Sequence, residues 1–202
     1  MSVEKFDRKN EIRKIIFQYA TVSIAALLIG IYLACIISNG VILSFGEEIK
    51  KHFLIGIKKD RLFDSIMIYT VYYSLSDVLC IILGFCFTFS VFNYLACDII
   101  LIFKSFCVGL SSAVFYRCVS QYGMIGYIPL IIFITFKLVS LTLIAVFLCG
   151  LSAHSVDLKI FLPNHRFRLD IKAFILIAAY TVCGIGTVFL LNAVYCIMIY
   201  IF

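Results

Sequence analysis

The sequence predicts an all-α protein: a polytopic helical membrane bundle of about five transmembrane helices, with one amphipathic interfacial helix. Three observations carry this reading. Hydrophobic residues make up 64% of the 202-residue chain, and mean hydropathy is +1.13. Charged residues are only 14%, against about 25% in a typical soluble domain. Between residues 62 and 103 only Asp64, Asp77 and Asp98 carry formal charge. One helix needs only about 20 residues to cross a bilayer. This run therefore holds more than one crossing, or one crossing and an embedded turn. The loops are too short to fold a separate soluble domain, so residues 1–202 read as one membrane domain.

The first span is expected at residues 16–37, after a charged N-terminal segment. Its apolar run exceeds the roughly 7–15 residues of a cleavable signal core. Tyr32-Leu33-Ala34-Cys35 faintly resembles a lipoprotein processing box. It lies too far along the chain and lacks an aliphatic first residue, so the segment reads as an uncleaved span. Residues 45–61 follow with a different pattern. Phe45, Ile49, Phe53 and Ile57 recur every four residues, while Glu47, Lys50, Lys51, Lys58 and Arg61 take the other side. That is an amphipathic helix lying in the headgroup plane; the alternative is a soluble helix packed on the bundle.

The second span is expected at residues 66–91, its most apolar part starting at Leu75, and the third at 94–116, with Phe92-Asn93 as the turn. The fourth covers 127–149. Pro129 stands near its start, where a missing N–H matters least. The fifth covers 173–202, long enough to tilt or to leave its aromatic end at an interface.

The formal net charge is +6. In a membrane protein such an excess faces the cytoplasm and anionic lipid, so it is no nucleic-acid footprint. Lys5, Arg8, Lys9, Arg13 and Lys14 precede the first span; Lys159, Arg166, Arg168 and Lys172 precede the fifth. Both stretches are assigned to the cytoplasmic face. Lys50, Lys51, Lys58, Lys59 and Arg61 oppose this, and the N-in orientation wins by about three charges with Arg117 included. Lysines on the interfacial helix can snorkel to anionic headgroups, which accounts for basic residues on the outer side.

The sequence offers no catalytic signature, so no enzyme is expected. There is no GxSxG, HExxH or P-loop, and His52, His154 and His165 lie in or beside loops. No metal-ligand cluster or cofactor motif is present. None of the nine cysteines forms a CxxC pair, and they read as small packing residues.

Helices in lipid associate where small residues let backbones approach. Ala26, Gly30 and Ala34 form one such stripe, and Ser105, Gly109 and Ala113 another. Ala179, Cys183, Gly184 and Gly186 mark a third. Each serves packing within the bundle or receives a partner's single span. The polar residues expected inside are Asp77, Asp98, Lys104, Lys137, Asn93 and Asn192. A charge at the bilayer centre costs at least about 2.5–3.5 kcal/mol, so these are functional suspects. Asp77 is expected near the start of its span, close to headgroups. Asp98 and Lys104 lie about 240° apart around a helix and must find partners on other spans. Lys137 is expected to be the deepest charge. It has three possible roles: an ion pair with Asp98 or Asp77, snorkelling, or transport.

One stretch carries a family likeness. Ile102-Phe103-Lys104-Ser105-Phe106-Cys107-Val108-Gly109-Leu110-Ser111-Ser112-Ala113-Val114, followed by Gln121-Tyr122-Gly123-Met124-Ile125-Gly126, resembles the stage II sporulation protein M family. The proline-bearing fourth span, the charged N-terminus and the amphipathic loop fit as well. The resemblance implies a non-catalytic scaffold in a bacterial cytoplasmic membrane. Its partners would be membrane-anchored cell-wall hydrolases, the stage II proteins D and P, during engulfment in spore formers. The sequence leaves an oligomer open. A transporter or permease subunit, with Asp77, Asp98 and Lys137 as a polar path and an ATPase on the basic loop 159–172, is the alternative; an intramembrane enzyme is a third.

Overall fold

A computed structural model describes residues 2–37, 62–90, 92–119, 124–160 and 171–201. These residues form five helices: α1 (Ser2–Ile36), α2 (Leu62–Thr88), α3 (Asn93–Val119), α4 (Met124–Ile160) and α5 (Ile171–Ile201). No strand occurs among the described residues. The expected interfacial helix at 45–61 lies outside them.

Each helix contains a segment apolar and long enough to cross a bilayer: Arg13–Ile36, Ile66–Thr88, Asn93–Arg117, Leu130–Ala153 and Phe174–Met198. These segments run 23 to 25 residues, or about 35 Å of helix against a hydrocarbon core of about 30 Å. A helix satisfies its own backbone, the condition hydrocarbon imposes on any spanning segment. The outer surface fits the same solvent. Phe17, Val182, Leu190 and Ile68 are all at least 66% exposed, while Asp77, Asn93, Ser105 and Ser152 are fully buried. The chain is a multi-pass helical membrane bundle.

The second span ends three residues before the expected boundary, and the turn moves with it. α2 stops at Thr88, whose hydroxyl donates to the Gly84 carbonyl at 2.8 Å. The Ser90 N–H donates to the Phe87 carbonyl at 2.9 Å, and the Ser90 hydroxyl accepts from the Phe92 N–H at 3.2 Å. Serine thus supplies turn bonds that a count of apolar residues does not reveal. Ala96 N–H to Phe92 carbonyl, 2.9 Å, opens α3.

α1 packs most extensively on α3, and α2 on α5. α4 touches all four other helices and is the central post. Two large apolar clusters fill the interior, and a small third one gathers Ala34 and Val114. One of the large two gathers Tyr19, Ile81, Leu101, Ile144, Leu148 and Val188. The other is aromatic, with Phe115, Phe133 and Tyr195 at its heart and Tyr73 and Phe136 against it. Between the two, about one turn from each, lie Asp77, Ser140 and Asn192 on three different helices, and Lys104 joins them from α3.

Candidate functional site

Asp77 organises the interior. It sits midway along its span, eleven residues from both Ile66 and Thr88, and is fully buried. The expectation of a headgroup position is therefore corrected. Counted from Ile66 and Thr88, the ends of the span, Asp77 lies about 16 Å from either one.

Three other helices bring partners to this one carboxylate. Lys104 of α3 forms an ion pair with Oδ1, and its Nζ also donates to Ser76 Oγ at 2.5 Å. Ser140 Oγ of α4 donates to Oδ2 at 2.6 Å. Asn192 Nδ2 of α5 donates to the same oxygen at 3.3 Å and to the Val188 carbonyl at 3.1 Å. Lys104 is only 6% exposed. In so dry a place the attraction is strong, but so is the cost of desolvating both ions. What makes the pair tenable is the set of added hydrogen bonds on the carboxylate. Chemically, the arrangement is a clamp that closes α2, α3, α4 and α5 around one charge.

Lys137 is not the deepest charge. It stands seven residues from the Leu130 end of its span, shallower than Asp77 and Lys104. It makes neither of the two ion pairs considered for it. Its Nζ lies over the rings of Tyr73 and Phe133, at 5.4 and 5.9 Å from their centroids. A cation over a ring gains about 0.5–2 kcal/mol. That offsets much of the roughly 2.5–3.5 kcal/mol insertion cost but supplies no negative charge. Around the centre there are thus two lysines and one aspartate.

Asp98 is not part of this cluster. It sits five residues into its span, half-buried, and its Oδ2 accepts from Gln18 Nε2 of α1 at 2.5 Å. Facing α1 puts it on a different side of α3 from Lys104, as helix geometry requires. Asn93, buried at the start of α3, accepts from Cys97 Sγ at 3.4 Å.

The first two small-residue stripes meet each other. A Cβ on Gly30 would strike the Phe106 carbonyl oxygen and lie 2.9 Å from the Leu110 nitrogen. A Cβ on Gly109 would strike the Leu27 carbonyl oxygen and lie 3.0 Å from its carbon. Ala26, Ala34 and Ser105 are buried beside them, and Ala113 is half-buried. This face is therefore closed within the chain and has no room for a second helix. The third stripe divides. Gly184 lies against Phe147, whereas Ala179, Cys183 and Gly186 face outward and a Cβ on Gly186 would meet nothing within 4 Å.

Several partners escaped the sequence reading. Ser140 and Ser76 look like ordinary serines in apolar helices, and only the rotation of each helix shows what they touch. Tyr19 and Ser152 share a hydrogen bond of 2.7 Å between α1 and α4. Arg117 had a clearer signal, a basic residue at the end of a span. Its Nη1 donates to the Ala34 and Ile37 carbonyls at 2.6 and 2.9 Å and so caps the C-terminus of α1. Cys35, Cys80, Cys86, Cys97, Cys107, Cys149, Cys183 and Cys196 are free thiols. No group of three metal-ligating side chains occurs among the described residues.

Fold and centre together define a multi-pass helical membrane protein closed on a buried ion pair. No protein-family model, curated protein or solved structure matches the chain.

Proposed function

We propose that the protein is a non-catalytic scaffold of a bacterial cytoplasmic membrane, with its N-terminus in the cytoplasm. It holds membrane-anchored, peptidoglycan-remodelling partners, as the likeness to the stage II sporulation protein M family implies. The observation that carries this reading is how the polar centre is used. Asp77 is engaged by side chains of three other helices, which favours one rigid shape over a moving gate. A rigid bundle that leaves Ala179, Cys183 and Gly186 outward on α5 offers a close-packing face to a partner's span. The lysines and arginines around residues 159–172 suit the cytoplasmic rim.

The test is affinity purification of the tagged chain from gently solubilised native membranes, during growth and any spore formation. The reading predicts recovery of single-span wall hydrolases, and their loss in Gly186→Leu. That variant adds a side chain where there is open space, so the bundle itself is expected to survive. Recovery of the chain without hydrolases contradicts the scaffold.

A transporter or permease subunit is the second reading, favoured by charges at mid-span on α2 and α3 and a third, shallower one on α4. Saturable solute uptake by the purified protein in liposomes, abolished by Asp77→Asn, would establish it.

A further inference from the structure

A cleft of about 180 Å³ opens on the lipid side of the bundle between α4 and α5. Ile81 of α2 and Val188 of α5 form its buried floor, and Val146, Phe147, Tyr180 and Cys183 line its walls. Val146 is 60% exposed and Cys183 is exposed as well, so the mouth faces hydrocarbon. Phe147 of α4 and Tyr180 of α5 stack with centroids 4.7 Å apart and planes 8° from parallel. Each ring lies against a glycine of the opposite helix. A Cβ on Gly184 would stand 2.6 Å from the Phe147 ring, and one on Gly150 would stand 2.9 Å from the Tyr180 ring. The two rings are thus held in place, and the hollow they line is preformed.

Chemistry and size select the occupant. Thr187 also lines the cleft, but its hydroxyl donates to the Cys183 carbonyl at 2.8 Å. Its proton is already used, and the walls call for no polar ligand. One turn of an α-helix, about 10 Å across and 5.4 Å long, fills roughly 400 Å³, so a partner's span cannot enter. A hydrocarbon chain can. Tyr180 and Cys183 lie six and nine residues from the Phe174 end of their span, and Phe147 and Val146 six and seven from the Ala153 end of theirs. These depths are about 9–14 Å, within the roughly 15 Å that one leaflet contributes to a hydrocarbon core of about 30 Å. The walls therefore belong to a single leaflet. At the edge of that leaflet stands Lys172, exposed and two residues before the span. It precedes Cys183 by eleven residues, which puts the two about 20° apart around the helix axis. The exposed Leu176 lies between them.

We propose that this cleft holds one acyl chain of an anionic phospholipid from the surrounding bilayer, with the headgroup phosphate paired to Lys172. The chain fills the apolar hollow, and the lysine supplies the preference for a negative headgroup, as basic residues at helix ends do. The cleft flanks the partner face without including Gly186, whose Cβ would meet nothing within 4 Å. The inference does not rest on the scaffold reading.

The experiment is native mass spectrometry of the full chain, purified without partners in mild detergent and titrated with phosphatidylglycerol or phosphatidylcholine of matched chains. The expected result is saturable retention of one phosphatidylglycerol per chain, bound about fivefold more tightly than phosphatidylcholine. Lys172→Gln is expected to remove that preference while the chain still binds. Cys183→Phe and Val146→Phe each place a ring at the mouth and are expected to lose the retained lipid. Both positions are exposed, and either variant serves should the other fold poorly. Gly186→Leu is expected to keep the lipid whatever becomes of protein partners, so the two proposals fail separately. Equal retention of the two lipids by the unaltered chain would overturn the proposal. So would undiminished retention in both cleft variants. A dimer that comes apart in Cys183→Phe would assign the cleft to a second copy of the chain and overturn it too.

Discussion

At the scale of single residues, the protein is organised by who shares Asp77. Removing one member of a buried pair strands the other charge in hydrocarbon, at a cost of about 3–5 kcal/mol. Asp77→Ala and Lys104→Met are therefore each expected to destabilise the bundle by that amount in denaturant unfolding. Asp77→Leu combined with Lys104→Met should recover most of the loss, because apolar replacement of a whole pair is often neutral. Additive losses would mean that the two side chains do not act as a pair. Asp77, Lys104 and Lys137 stand out in the sequence as charges in apolar runs, so the membership of the centre was partly legible. Its pairing was not. Which lysine reaches Asp77 depends on the rotation of α3 and α4 about their axes, and spacing along one helix does not contain that angle. Ser140 gave still less signal, since a hydroxyl can hide in an apolar helix by bonding its own backbone.

At the scale of helices, close approach and capping decide which pairs form. Gly30→Ala and Gly109→Ala each place a methyl into the backbone of the opposing helix. Each is expected to cost about 1–3 kcal/mol as α1 and α3 are forced apart. Gly186→Ala, into open space, should leave unfolding unchanged or slightly raise stability by restricting the unfolded chain. A common loss at all three positions would contradict the α1–α3 contact as the cause, since alanine favours a helix over glycine. Arg117→Gln should release the last turn of α1, whose Ala34 and Ile37 carbonyls it now holds. A charged hydrogen bond of this kind contributes about 1.5–3 kcal/mol, and faster amide exchange confined to the end of α1 is the expected signature. The stripes themselves were readable as four-residue repeats of small residues. That Gly30 and Gly109 face each other was not, because a stripe marks where a helix can be approached without saying by what. The end of α2 was misplaced for a local reason: residues 89–91 are apolar enough to extend the span, but Ser90 makes turn bonds instead.

At the scale of the whole molecule, five apolar helices around a polar centre follow directly from composition and segment length, which is why the fold class was legible. The direction of insertion rests on lysine and arginine placement. The five crossings among the described residues place Ser2 and Ile201 on opposite sides, and the N-in proposal predicts labelling of a tag before Ser2 from the cytoplasm only and of one after Ile201 from outside only. In the proposed role, the rigid centre leaves the partner face on the outer surface. α5 has the least buried span of the five, and Ala179, Cys183 and Gly186 make its lipid-facing side the smoothest approach left open. The most direct measurement is a photo-crosslinking side chain at position 186, illuminated in native membranes, with Ile68 on the exposed face of α2 as the control position. The scaffold account predicts a crosslink from 186, and none from 68, to a single-span cell-wall hydrolase. Crosslinks from 186 only to lipid, or the same products from both positions, would contradict it.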